Sequence, residues 1–295
     1  MKGMREIRRR IKSVKSTGQI TRAMQLVASS KMKKSQTRAE DGRAYTLLLM
    51  DLIDILVPLI SEKYRELSGE KRESNRRLVI VFSTERGLCG SLNANLFKAI
   101  LNFEGDCSFI AVGAKAARFL SSTGRKLVAQ FKVSDFVSFS EIKPIVDFAI
   151  QEFRENRADT IEVLYSLYVN TIKQEPTLAK IAPMEDLDDA IEGLRQKYKS
   201  QLAERAKDGR PICIEPSANE LMRELPLYYL RNIVYHMALD AKASEQSARM
   251  VAMKAASDNA ESLISELTLE YNKARQSAIT TEITEIAAAA AAKQK

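Results

Sequence analysis

The residues best suited to chemistry lie in STERGLCGSLNAN (83–95), a glycine-rich loop between an apolar run and a helical pattern. In a strand–turn–helix unit that position can hold a phosphate on free backbone N–H groups. The loop has neither the Lys-Ser/Thr of a P-loop nor the three-glycine spacing of a dinucleotide site. Gly87 and Gly90 are instead expected to permit a tight turn and close helix packing. His236 is the sole histidine, so it cannot build a usual zinc cluster, and a structural or solvated role is expected. Glu185, Asp186, Asp188 and Asp189 are acids without the glycine and spacing of a calcium loop, and read as a solvated helix start. Cys89, Cys107 and Cys213 are odd in number and lack CxxC spacing, which argues against a disulfide framework and for small buried hydrophobes. These groups do not combine into a catalytic constellation, and neither a cofactor nor a metal is expected.

The elements that must position them are set out by proline. None of the seven prolines precedes Pro58 and none follows Pro226, so two long proline-free flanks enclose a segment with ordinary punctuation. In the C-terminal flank, Leu221, Leu225, Tyr228, Tyr235, Leu239, Ala243, Met250, Met253, Ala260, Ile264, Leu267, Tyr271, Ala274 and Ala278 recur at steps of three, four and seven. That is one continuous helical stripe. Ser217 or Asn219 can cap its start, and a helix from there to about Ile286 would run roughly 100 Å at 1.5 Å per residue. The N-terminal flank carries Ile7, Ile11, Val14, Met24, Val27, Leu48, Leu52, Ile55 and Leu59 in the same manner. Neither stripe can be hidden alone. Pairing the flanks as an antiparallel coiled coil covers both, and small or polar stripe positions such as Asn232, Ala243 and Ala260 predict a lightly packed seam.

Between the flanks, strand and helix patterns alternate. RRLVIVFS (76–83), CSFIAVG (107–113) and Lys126–Val133 read as strands, each followed by a helical pattern; the third of these helices is Glu141–Asn156. TIEVLYSLYVN (160–170) and LAKIAP (178–183) close the series as an antiparallel pair. The expected fold class is α/β plus long helices: an antiparallel coiled coil of the N- and C-terminal helices with an inserted Rossmann-like α/β domain. The expected boundaries are 1–60 and 217–287 for the discontinuous coiled coil and 76–184 for the α/β domain. The terminal alanine run reads as a fraying helix end.

Charge is distributed unevenly. The chain carries a net +8, yet residues 1–43 hold thirteen Lys/Arg against Glu6, Glu40 and Asp41, a local +10. Such an arm calls for an anionic partner: nucleic acid, an acidic protein surface or lipid head groups. Its cations fall on several faces, and it has no aromatic before Tyr45 to stack on bases; an acidic protein collar explains the same charge equally well. No run approaches the roughly 20 apolar residues that cross a bilayer, and MKGMREIRRR lacks the apolar stretch of a secretory signal.

ITRAMQLVASSKMKKSQ (20–36), RGLCGSLN (86–93), NTIKQEP (170–176) and SARMVAMKAASDNAESLISELTLEYNKARQSAITTEITEI (247–286) closely resemble, in order, the gamma subunits of F-type ATP synthases. The resemblance implies an asymmetric central stalk inside a hexamer of alpha and beta subunits. The middle domain would pack at the foot with epsilon on the ring of membrane c subunits, at the cytoplasmic face of the bacterial inner membrane. Ion flow would turn ring and stalk together, with catalysis left to beta. The resemblance further implies partner contacts at Met24 and Arg249, facing the acidic lever of beta, and at Arg275, Gln276 and Thr280, facing its catch loops. Glu215 matches an acid near the ring, although Ile212 and Ile214 stand where the family carries aromatics.

Overall fold

The computed structural model describes residues 2–56, 75–183, 215 and 217–293. Two helices dominate, α1 (Lys2–Leu56) at the N-terminus and α5 (Ala218–Lys293) at the C-terminus. Ser217 caps α5 by accepting the Glu220 N–H at 3.2 Å, one of the two caps the sequence offered. The helix continues past Pro226 and holds the alanine run through to Lys293. Between them lie β1 (Arg77–Phe82), α2 (Leu92–Leu101), β2 (Cys107–Val112), α3 (Ala114–Ser122), β3 (Lys126–Phe131), α4 (Phe139–Arg154), β4 (Thr160–Tyr168) and β5 (Gln174–Ala182). The chain divides into two units, residues 1–29 with 249–295, and residues 30–248.

In the unit 30–248 the sheet order is β3-β2-β1-β4-β5; all pairs are parallel except β4–β5, which is antiparallel. β1 is buried on both faces, so its alternating side chains feed two cores. Leu78, Ile80 and Phe82 join Ile142, Ile145 and Val146 of α4 and Tyr229, Leu230 and Val234 of α5. Val79 and Val81 join Leu96 and Ile100 of α2 and Ala116 and Leu120 of α3. Each fully buried Leu, Ile or Phe among them contributes about 1.5–3 kcal/mol. The α4 helix starts at Phe139, before the expected Glu141, because Ser138 and Glu141 form a capping box. β5 begins four residues before the expected LAKIAP and contains Pro176, which an edge strand tolerates.

In the unit formed by residues 1–29 and 249–295, α1 and α5 pair antiparallel. Thr21 Oγ1 and Ser257 Oγ are 2.9 Å apart, and a Cβ built on Gly18 would lie 3.2 Å from Ala260 Cβ. The covered positions follow strict heptads. On α1 they are Ile7, Ile11, Val14, Gly18, Thr21, Gln25 and Ala28; on α5 they are Met253, Ser257, Ala260, Ile264, Leu267, Tyr271, Ala274 and Ala278. A 3.5-residue repeat of this kind keeps one seam facing its partner.

The seam differs from the expected N-terminal stripe in one respect. Val27 is 54% exposed, and Leu48 and Leu52 also face outward. From Gly18 onward the covered positions on α1 are small or polar, Gly18, Thr21, Gln25 and Ala28, and at Gly18 an added Cβ would already lie 3.2 Å from Ala260 Cβ. Ile55 and Leu59 lie outside the residues whose side chains are described.

Candidate functional site

The glycine-rich loop is self-contained. Its left-handed turns fall at Leu88 (φ 62°) and Gly90 (φ 58°), so of the two glycines only Gly90 supplies a conformation that favours glycine. Asn93 Nδ2 donates to Thr84 Oγ1 at 2.8 Å and to Cys89 Sγ at 3.3 Å, while Thr84 Oγ1 donates to the Arg86 carbonyl at 2.7 Å. Cys89 is buried against Leu92 and Ala248. The N-terminus of α3, the second place for an anion, is also engaged: Ala116 N–H donates to Ser83 Oγ at 2.9 Å and Lys115 N–H to the Thr84 carbonyl at 3.2 Å. Gly113 (φ 105°) permits this approach, since a Cβ there would sit 2.4 Å from the Ser83 carbonyl oxygen.

A doubly wound sheet binds its ligand in the crevice outside the carboxyl ends of its strands. Here that crevice, lined by Phe82, Thr84, Asn93, Gly113, Lys242 and Glu245, encloses about 20 Å³. That is room for about one water. The occupant is α5, whose residues 242–248 are all buried. Lys242 Nζ donates to Glu245 Oε2 at 3.0 Å, and Ser244 and Ser247 donate to the carbonyls of Ser166 and Thr171. The strand order is that of a doubly wound sheet, and Ala238, Ala241, Lys242 and Glu245 of α5 line its crevice.

His236 packs within the unit 30–248. Its ring meets Tyr235 edge-on at 5.7 Å and lies over Gly42, where an added Cβ would be 2.3 Å from Cε1. Among the described residues no group of three or more His, Cys, Asp or Glu side chains is arranged to hold a metal. Glu185, Asp186, Asp188, Asp189, Ile212, Cys213 and Ile214 lie outside the described residues. Cys107 is buried, and that burial pushes its thiol pKa up.

The expected contact residues do not converge into one pocket. Met24 and Arg249 are half-buried on the flanks of the helix pair, on α1 and α5 respectively. Arg275, Gln276 and Thr280 are exposed along α5, with Thr280 Oγ1 donating to the Gln276 carbonyl at 2.9 Å. Glu215 is exposed just before α5.

Extending the Thr21–Ser257 register heptad by heptad aligns Val14, Ile11 and Ile7 with Ile264, Leu267 and Tyr271, and brings Lys2 level with Gln276. Ile279, Ile283 and Ile286 on α5 are 48%, 61% and 64% exposed, and on α1 Ile20 and Leu26 are similarly bare. The sequence stripes left these residues out and gave them no role. The 4-then-3 spacing of the three isoleucines was the available signal, since it belongs to a face with no N-terminal counterpart.

Comparison with known proteins covers the whole chain. A family model described as ATP synthase matches residues 3–292. The ATP synthase gamma chain of Opitutus terrae is 44% identical over 289 residues, which span 98% of each chain. That of Pasteurella multocida is 41% identical over 300 residues, 99% of this chain and 100% of its own. Among solved structures, a chain of the Euglena gracilis mitochondrial ATP synthase, OSCP/F1/c-ring in rotational state 3, aligns over 98% of this chain and 94% of its own. The TM-score is 0.67 at 18% identity. A chain of the central stalk/c-ring of the Tetrahymena thermophila enzyme aligns over 81% of this chain and 99% of its own, with a TM-score of 0.59 at 24% identity. At these identities the structural matches speak for the fold.

Proposed function

The chain belongs to the ATP synthase gamma-chain family, and on that premise we propose how its surfaces perform the work of a central-stalk rotor. The chain makes no bond in the reaction itself. It turns inside a hexamer of alpha and beta subunits and offers each beta a different face. Epsilon and the ring of c subunits drive it at the opposite end, on the cytoplasmic side of a bacterial inner membrane. Ion flow through the ring, of H⁺ or Na⁺, supplies the torque.

The observation that carries this reading is the exposed apolar stretch of α5, Ile279, Ile283 and Ile286. Large aliphatic side chains exposed together on one helix seek an apolar sleeve. The polar Arg275, Gln276 and Thr280 beside them suit contacts that form and break as the shaft turns. Met24 and Arg249 supply a second level of contact, and Glu215 lies toward the ring.

The physics required is differential contact. A rotor face that binds one conformation of beta better than another by about 1.4 kcal/mol shifts that subunit's equilibrium tenfold. Because α1 and α5 present different residues around the axis, one angular position can favour three different states of three identical subunits. The α/β domain contributes rigidity. Lys242 and Glu245 of α5 line its crevice and pair with each other at 3.0 Å.

Purified alpha and beta subunits mixed with this chain test the reading. The expected result is a complex that hydrolyses ATP steadily; alpha and beta that fail to bind the chain would overturn it.

A further inference from the structure

Part of the basic charge of α1 is engaged within the chain. The loop between β3 and α4 lies against α1 and meets its cations at positions 31, 34 and 38, one helical face. Lys31 Nζ donates to Asp135 Oδ2 at 2.6 Å, and Arg38 Nη1 donates to the Phe136 carbonyl at 2.9 Å. Lys34 Nζ and Arg38 Cζ each lie 5.6 Å from the centroid of the Phe136 ring. The other oxygen of Asp135 faces α5, with Lys242 Nζ 3.9 Å from Oδ1. Lys242 is in turn held by Glu245, and their side chains are only 10% and 5% exposed.

One carboxylate thus reaches a cation on each of the two long helices. The geometry points to Asp135 as a positioning residue for torque: it keys the α/β domain to α1 and α5 so that the three turn as one body. The claim rests on the stalk reading and deepens it. The physical reason lies in direction. Apolar burial between the sheet domain and the helices resists separation while discriminating poorly against sliding. The other directional contacts, Arg231 with Asp147 and the Ser244 and Ser247 hydroxyls with the carbonyls of Ser166 and Thr171, hold α5 alone. A short charge-assisted hydrogen bond on one helix, opposed by a charge pair on the other, is directional and resists displacement around the shaft. Phe136 adds a wedge between two cations on adjacent turns of α1, which blocks rotation of that helix in its seat. As stability, a half-exposed pair such as Lys31–Asp135 counts for little. Its value lies in bearing a tangential load.

The test uses membrane vesicles holding the assembled complex, with ATP hydrolysis and the ATP-driven membrane potential followed together by a voltage-sensitive dye. In Asp135→Ala, uncoupled hydrolysis against a full potential is expected to rise roughly two- to five-fold, the range a single partly exposed ion pair can supply. Hydrolysis in detergent, without load, is expected to stay unchanged. Asp135→Glu is expected to restore coupling, whereas a residue needed only for folding would change both rates together. Coupling in Asp135→Ala equal to that of the unmodified chain would overturn the inference. Should Asp135→Ala fail to assemble, Lys31→Gln carries the same expectation, and normal coupling there overturns it equally. An unmodified chain that forms no complex with alpha and beta defeats the stalk reading instead.

Discussion

Thr21 and Ser257 face each other across the helix pair with their hydroxyl oxygens 2.9 Å apart, both buried. One hydroxyl donates to the other and the second donates to the Gly18 carbonyl, which lies 3.0 Å from Thr21 Oγ1 and 3.3 Å from Ser257 Oγ. This polar rung helps fix which turn of α1 meets which turn of α5, where the neighbouring seam residues Gly18 and Ala260 are small. Thr21→Val removes one hydroxyl while keeping the shape. It is expected to cost about 1 kcal/mol, because Ser257 loses a buried partner. Adding Ser257→Ala removes the second polar group and is expected to recover part of that loss. Thermal unfolding followed by circular dichroism at 222 nm checks both; equal losses that add would mean the two hydroxyls are independent.

Gly113 closes the turn between β2 and α3 at φ 105°, with the Ser83 carbonyl where its Cβ would stand. Gly113→Ala meets strain and a backbone clash together, and is expected to destabilise the α/β domain by about 3 kcal/mol. Gly90 also has a positive φ but open space around it, so Gly90→Ala should cost clearly less. Urea unfolding of the two variants separates them, and a Gly113→Ala chain as stable as Gly90→Ala would refute the clash.

Glu141 completes the cap of α4. Burial pushes its carboxyl pKa up, but the N–H and hydroxyl groups of Ser138 and Ser134 outweigh that and hold it below the ordinary value. A depressed folded pKa gives stability that is complete above the unfolded value, near 4.3, and lost as pH falls through the folded one. The unmodified chain should therefore exceed Glu141→Gln in thermal midpoint at pH 7, by an amount that corresponds to at most about 1 kcal/mol for so solvent-screened a group. The gap should close as pH falls through the folded value. A gap independent of pH would remove the carboxylate from the explanation.

Arg275 and Gln276 are exposed on α5, next to the half-buried Ala274. Arg275→Glu combined with Gln276→Leu is expected to leave the thermal midpoint of the isolated chain within about 0.5 kcal/mol of its original stability. In membranes the same double variant should lower ATP synthesis severalfold. Unchanged synthesis would count against this contact.

Much of the architecture was legible because local pattern and global fold agree. RLVIVF and CSFIAV are short β-branched runs between turns, and both are buried central strands. Met253, Ala260, Ile264 and Leu267 advertise their seam by helical spacing and occupy it. On α1 the same logic failed between Gly18 and Ala39. There the seam is made by Thr21, Ala28, Ser35 and Ala39, whose small size allows close approach and whose hydropathy gives no signal. Val27 looked like a core residue and is a surface one. The engagement of Lys31, Lys34 and Arg38 by Asp135 and Phe136 was equally hidden, since it joins residues about a hundred positions apart that no local pattern connects. The contact residues Arg275, Gln276 and Thr280 came from family resemblance alone; spacing marks them only as exposed.

The most direct measurement of the rotor claim is the composition of what this chain carries with it out of a membrane. Solubilised gently and captured by a tag on Lys295, it is expected to bring alpha, beta, epsilon and the c ring in fixed proportion, as a complex that hydrolyses ATP. Recovery of the chain alone, or with nucleic acid in place of those subunits, would contradict the account.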